Sequence, residues 1–319
     1  MKTISFVLAC YNEEKNIPLV VDRIKKVVDQ LNKFELEIIC IDDKSQDNTI
    51  GVLRELSSKL SYLRYVKLAK NVGSHMAIAC GLQEAKGDAI IVLASDGQDP
   101  PEFTTNLINE WEQGTKIVWG ARKSFKQSFL DGLFSSSYYW LMDKFSDANL
   151  HDSGADMVLL DRNVVDVFNE IEERNSSIWA LICSLGYDQV TCYYDKQERI
   201  HGTSSWTFSK KWRAALDSFI SFSSFPIRFV SIIGMFLSII SFIVAILYLI
   251  NYFTHGLIFG EIETEGWLSI LLSVLFFGGI QMLTLGLIGE YLIRVLNQVK
   301  KRPPFIIEER SNDISNTIK

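Results

Sequence analysis

The sequence has no Gly-x-Gly-x-x-Gly run and no Walker-type lysine loop. Phosphates would then be held by side chains or a metal rather than by a glycine nest. Basic residues are not in excess. Lys and Arg number 32 against 38 Asp and Glu, a net charge of −6, which argues against general nucleic-acid binding. The five cysteines, Cys10, Cys40, Cys80, Cys183 and Cys192, follow no metal-ligand spacing. They read as free thiols, mostly small core residues of a cytosolic domain. Leu8-Ala9-Cys10 mimics a lipoprotein cleavage site. The apolar stretch Ile4–Cys10 is too short for a leader and runs straight into Tyr11-Asn12-Glu13-Glu14, so it reads as a first strand.

Charge is missing altogether from two long apolar runs, Val230–Phe253 and Trp267–Ile288. Each exceeds the roughly 20 residues that span a bilayer core. Lys210, Lys211, Arg213 and Arg228 precede the first run; Arg294, Lys300, Lys301 and Arg302 follow the second. The connecting Thr254–Gly266 has no Lys or Arg but carries Glu261, Glu263 and Glu265. That is the positive-inside pattern of a two-helix hairpin with both chain ends cytoplasmic. Trp267, Tyr248, Tyr252 and Tyr291 sit near the expected interfaces.

What is present in the first 120 residues is an alternation of two periods. Ile4–Ala9, Glu37–Ile41, Tyr62–Leu68 and Ala89–Leu93 are short β-branched-rich runs. Ile17–Leu31, Asn48–Ser58 and His75–Ala85 space their apolar residues helically. Such alternation predicts a parallel sheet with helices on both faces and a ligand site beyond the carboxyl ends of the strands. Polar residues gather at those ends: Asn12 and Glu13, Asp42 and Asp43, Lys70 and Asn71, Asp96 and Gln98. Helix starts account for some of the polar residues. Asn16 precedes Pro18, Ser45 and Asp47 fit the second helix, and Asp99 before Pro100 is expected to cap a fourth. Capping explains neither the Asp42-Asp43 pair nor Asp96 with Gln98. The last two resemble a short metal–diphosphate site, since Mg²⁺ combines one or two carboxylates with substrate phosphates.

Beyond this region, Lys116–Gly120 reads as a fifth strand, followed by Arg122 and Lys123. Phe129–Phe145 and Trp206–Phe225 are aromatic-rich; they suit either core packing or the membrane interface. The polar tail after Pro304 reads as disordered.

Together these residues resemble the family 2 glycosyltransferases of GT-A fold, in particular the polyprenyl-phosphate group of dolichol-phosphate mannose synthase and bacterial undecaprenyl-phosphate glucosyltransferases. The motifs are Tyr11-Asn12-Glu13-Glu14, Asp42-Asp43-Lys44-Ser45, Asn71-Val72-Gly73, Gln98-Asp99-Pro100-Pro101, Asp161-Arg162, Phe222–Pro226 and Gly289-Glu290-Tyr291. They follow the family order from Ile4 to about Pro303. The resemblance implies an α/β, GT-A-type, parallel-rich sheet over 1–205, an interfacial segment over 206–228, two membrane helices within 229–296 and a cytosolic tail over 297–319. It implies an inverting, multi-pass enzyme of the cytoplasmic membrane in glycan assembly. The enzyme would move a sugar from a nucleotide-sugar, UDP favoured, to undecaprenyl phosphate, with Mg²⁺ or Mn²⁺ as cofactor and scope for a homo-oligomer. Tyr11, Glu13, Asp43 and Asp96 would bind the nucleotide, Asp96 and Gln98 the metal. Asp156 matches the acidic residue near the acceptor, usually called the base. Arg122 and Arg199 match basic residues that hold the acceptor phosphate; with two family cations absent at Val158 and Ser205, acceptor binding leans also on Lys123 and His201.

Three positions depart from the family pattern. Ala94 replaces the first metal-side acid, Val158 an arginine and Ser205 a lysine. They leave open a second reading, a catalytically impaired membrane homologue acting as a scaffold in glycan assembly. A processive synthase would carry more spans and a Gln-x-x-Arg-Trp motif, which the sequence lacks.

Overall fold

Apolar runs become strands and helical periods become helices in the order expected. The computed structural model describes residues 1–123, 155–171, 178–195, part of 229–254, 266–300 and 302–311. The alternation opens with β1 (Lys2–Cys10), α1 (Ile17–Leu31), β2 (Phe34–Asp42), α2 (Thr49–Lys59), β3 (Leu63–Leu68), α3 (Ser74–Glu84) and β4 (Ala89–Ala94). A 3₁₀ turn (Pro101–Phe103) then leads into α4 (Thr104–Glu112) and β5 (Ile117–Arg122). In α1 the buried side chains are Ile17, Val20, Val21, Ile24, Val27 and Val28, one stripe at helical spacing against the sheet. Asn32 ends the helix in the left-handed region, with φ 48°.

After β5 come β6 (Ala155–Asp161), α5 (Arg162–Glu170), α6 (Ile178–Ser184), β7 (Gln189–Tyr194), α7 (Trp267–Val299) and β8 (Ile307–Arg310). The eight strands form one sheet in the order β7-β5-β6-β4-β1-β2-β3-β8. Strands β1 to β4 are mutually parallel, and β7 runs parallel to β5. Strand β6 is antiparallel between β4 and β5, and β8 is antiparallel on the outer edge of β3. Two apolar clusters cover the sheet, one including Phe6, Ile24, Ile38 and Ile91, the other Val7, Ile41, Val92 and Trp119.

Strand β8 corrects the expectation of a disordered tail. Ile307–Arg310 pairs with the open edge of β3, which would otherwise leave backbone groups without partners. Ion pairs fasten it. Glu308 binds Lys44 and Lys67, Glu309 binds Arg54, and Arg310 binds Glu84. A polar composition fails to fold alone because it buries too little, but here an existing sheet supplies the partner strand.

Two units divide the chain: Met1–Phe222 with Arg302–Lys319, and Ser223–Lys301. In the second unit, α7 is long and apolar enough to cross a membrane, with Phe276–Ile293 its qualifying stretch. The described residues of 229–253 are helical, and Ile232, Phe236, Ile239 and Ile243 among them are exposed.

Candidate active site

The strand order reverses between β1 and β4: β2 and β3 continue on one side of β1, β4 lies on the other. In open α/β sheets the crevice at such a point, outside the carboxyl ends, is where ligands bind. Tyr11, Glu13, Asp43, Asp96, Gln98 and Arg122 all lie at or just beyond the carboxyl ends of β1, β2, β4 and β5.

The loops after β1 and β2 are laced together. The Asn12 backbone N–H donates to Ser45 Oγ (3.0 Å), and the Gln46 N–H donates to Asn12 Oδ1 (2.7 Å). Glu13 N–H donates to Thr49 Oγ1 (2.9 Å), and Asn16 Nδ2 donates to Glu13 Oε2 (2.6 Å). Tyr11 stands at the surface of this edge, 37% exposed. Asn12 and Lys44 both have φ of 60°, a conformation that short local hydrogen bonds and ion pairs must hold.

Asp43 is buried, and its carboxylate latches the next loop. Val72 N–H donates to Oδ1 (2.7 Å) and Gly73 N–H to Oδ2 (2.8 Å). Burial pushes its pKa up, the two backbone donors pull it down, and neighbouring Asp42 raises it. Gly73 sits at φ 88°, ψ 160°, a region open essentially to glycine, so the Asn71-Val72-Gly73 motif is a backbone requirement. Asp42 accepts the Ser45 N–H (3.1 Å) through Oδ1. Its Oδ2 is buried without a hydrogen-bond partner among the described residues, an acceptor that water or a ligand donor would complete.

At the end of β4, Ser95 Oγ donates to Ala9 O (2.7 Å) across the switch point. Asp96 is 9% exposed, and its Oδ1 accepts the Gln98 N–H (3.1 Å) around Gly97 at φ 74°. Asp99 does not cap the following helix as expected. No side chain caps the 3₁₀ turn, and the buried Asp99 instead accepts the Tyr194 hydroxyl through Oδ1 (2.6 Å). Tyr194 also packs on Phe103, ring centroids 5.1 Å apart. Sequence reasoning missed Tyr194. Its place at the end of β7 is set by pairing with Arg122, and no local pattern announces that.

Asp156 lies in β6 beside this edge. β6 pairs with β4 from Ala89–Asp161 to Val92–Val158; continuing that register by two residues sets Asp156 beside Ala94. Against β5, Gly120 pairs with Met157 and Ala121 with Ala155, so Asp156 is the extra residue of a β-bulge. Bulges are over-represented next to active sites. Next to the bulge, Gly120 lets Met157 pack close, because a Cβ there would stand 2.3 Å from Met157 Cγ.

The remaining predicted residues divide. Arg122 is half-buried at the end of β5, and Lys123 is exposed and pairs with Asp195 (3.4 Å). Arg199, His201 and Ser205, the stretches Phe129–Phe145 and Trp206–Phe225, and nearly all of Thr254–Gly266 lie outside the described residues. Val158 is fully buried, paired with Val92 on β4 and Trp119 on β5, so in this fold it is a packing position. The Asp161-Arg162 motif is structural as well. Asp161 caps α5 and accepts Trp111 Nε1 (2.8 Å), and Arg162 donates to the carbonyls of Gly87 and Ala85.

No group of three or more His, Cys, Asp or Glu among the described residues could by itself hold a metal ion. Any divalent cation at the Asp96–Gln98 turn would have to take most of its oxygens from a ligand and water.

Fold and edge residues thus define an α/β protein whose polar side chains gather at the carboxyl edge around its switch point. The profile of glycosyl transferase family 2 matches residues 5–168, and the chain belongs to that family. CsbB of Bacillus subtilis (strain 168) is 33% identical over 306 residues, 96% of this chain and 91% of CsbB. The bactoprenol glucosyl transferase of Shigella phage SfII is 32% identical over 310 residues, 96% of this chain and 97% of that protein. Among solved structures, glucosyl-3-phosphoglycerate synthase from Mycobacterium tuberculosis with Mn²⁺, UDP and phosphoglyceric acid aligns at TM-score 0.47. Its sequence identity is 18%, over 69% of this chain and 76% of that one.

Proposed function

We propose that this family 2 glycosyltransferase moves a hexose from a nucleotide-sugar, a UDP-sugar favoured, to a polyprenyl phosphate on the cytoplasmic leaflet, with inversion. The observation that carries the reading is the convergence of Tyr11, Glu13, Asp43, Asp96, Gln98 and the bulge residue Asp156 on one carboxyl edge. The near full-length likeness to a bactoprenol glucosyl transferase supports the acceptor class.

In this reading Tyr11 and Glu13 receive the base and ribose, and Asp43 holds the Val72–Gly73 loop against them. Asp96 and Gln98 hold the divalent metal, whose contribution is to neutralise charge on the departing nucleoside diphosphate. The acceptor, a phosphate monoester with a second pKa of about 6, is already largely dianionic at pH 7. A strong general base is therefore dispensable, and Asp156 orients the acceptor rather than deprotonating it. Arg122, Lys123 and Arg199 supply the positive charge that binds it, and His201 a hydrogen-bonding group. A single in-line displacement at the anomeric carbon inverts configuration.

A lipid acceptor also gives the apolar segments a purpose. Strand β8 belongs to the same sheet as β1 to β7. A chain that leaves that unit before Ser223 and rejoins it at Arg302 crosses a bilayer an even number of times. Two crossings, 230–253 and α7, would satisfy this and leave both termini on one side, the cytoplasmic side by the basic residues that flank the two runs. Exposed Ile, Leu and Phe along both segments agree with lipid contact.

The test is incubation of membranes containing the full chain with a panel of labelled sugar nucleotides and undecaprenyl phosphate. One nucleotide-sugar should label the lipid in a cation-dependent manner. No labelled lipid from any donor, with intact nucleotide binding, would instead favour the impaired scaffold.

A further inference from the structure

Strand β8 reaches further than the sheet edge it covers. Lys67 pairs with Glu309 and Leu68 with Ile307, so Glu308 is the extra residue of a bulge and is re-aimed away from the ladder. Its carboxylate bridges two lysines, Lys44 Nζ (2.6 Å) and Lys67 Nζ (2.6 Å). Lys44 directly follows Asp42-Asp43 and holds a left-handed backbone, φ 60°, unfavourable for a lysine without outside support. On the neighbouring loop, the Ala69 N–H donates to Ile306 O (2.8 Å), four residues before the Gly73 that Asp43 latches. The C-terminal strand therefore contacts both loops that meet at Asp43.

We propose that β8 is a positioning clasp on the donor edge, with Glu308 as a positioning residue that acts through Lys44 on the 43–48 loop. This rests on the reading of that edge as the nucleotide site. Glu308 touches no substrate in this scheme. It fixes the backbone turn from which Ser45 and Gln46 lace to Asn12, and so the shape of the wall beside Tyr11 and Glu13. The rest of the strand serves attachment. Glu309 grips Arg54 through two hydrogen bonds (2.9 and 2.5 Å) and accepts the Tyr65 hydroxyl (2.7 Å), away from Lys44.

This separation of roles makes the clasp testable in the full-length protein in detergent. UDP-glucose and GDP-mannose are titrated calorimetrically with Mn²⁺, and thermal melting is followed in parallel. Glu308→Gln should weaken nucleotide-sugar binding about threefold to fivefold, the scale of one exposed ion pair, with a smaller drop in melting temperature than Glu309→Gln causes. Lys44→Gln should do the same, and the double variant should bind no worse than either single one. Glu309→Gln should lower the melting temperature and leave binding intact. Wild-type binding by Glu308→Gln, additive losses in the double variant, or equal binding losses in Glu308→Gln and Glu309→Gln would each overturn the clasp. If the wild-type chain binds neither of these nor any other nucleotide-sugar of the donor panel, the functional reading itself falls, and the clasp with it.

Discussion

Asp43→Asn separates two roles that the sequence motif alone merges. The wild-type carboxylate accepts one backbone N–H on each oxygen, from Val72 and Gly73. Asparagine keeps one acceptor and turns an NH₂ toward the other N–H. One charge-assisted hydrogen bond disappears, worth about 1.5–3 kcal/mol, and a half-buried donor loses its partner. Relief of the carboxylate's desolvation, which raises its pKa, offsets part of this. A net loss of about 2 kcal/mol in a catalytic unit of this size lowers its melting temperature by roughly 4–8 °C. The assay is thermal melting of the detergent-solubilised full chain, with nucleotide-sugar titration alongside. Binding should weaken too, because the released loop carries Val72 and Gly73 away from the crevice. If binding is lost while melting is unchanged, Asp43 works by touching the nucleotide, and the latch reasoning is wrong.

Three further outcomes are expected. Asp96→Asn should slow sugar transfer about 100-fold, in line with losing one main electrostatic stabiliser of the leaving group, and EDTA should abolish turnover; full activity in EDTA would contradict the metal assignment. Tyr194→Phe removes the hydrogen bond to the buried Asp99 and should cost about 1–3 kcal/mol of stability, with turnover reduced because the Asp96–Asp99 turn loosens; melting curves and initial rates check this. The clasp should also open in acid. Lys44 and then Lys67 hold Glu308 down to about 2 from an ordinary 4.5, and Arg54 lowers Glu309 as well. A depressed carboxyl contributes stability above its unfolded pKa and loses it as pH falls through its folded one, so β8 should loosen between about pH 4.5 and 2. Hydrogen exchange at the Ala69 and Ser311 amides, corrected for intrinsic rates, reads the change; constant protection across that range would refute it.

The three departures from the family pattern do not weigh equally once placed. Val158 fills the core between β4 and β5, where an apolar side chain satisfies packing. Ala94 does lie at the carboxyl edge, and continuing the β4–β6 register sets it beside the bulge residue Asp156. The loss of its carboxylate leaves Asp96 as the acid of the short Asp96–Gln98 turn, which is why the Asp96→Asn result carries so much of the functional argument.

Local chemistry settled the elements of the first 122 residues. Helix α1 begins and ends where its apolar spacing and Pro18 place it, and β1 to β5 fall on the β-branched runs, within a few residues at their ends. Those signals are readable because each depends on neighbours within a turn or a strand. The convergence of Glu13, Asp43 and Asp96 followed from parallel topology, since every carboxyl end of such a sheet faces one way. Tertiary structure alone decided the rest. Tyr194 meets Asp99 across 95 residues, and Glu308 meets Lys44 across 264. The Asp156 bulge is defined only by the register of β6 against β5, a different strand. Strand β8 forms only because β3 offers an open edge, so its polar sequence carried no strand signal of its own. Contacts of this kind are bought by the whole fold, and no window of sequence contains both partners.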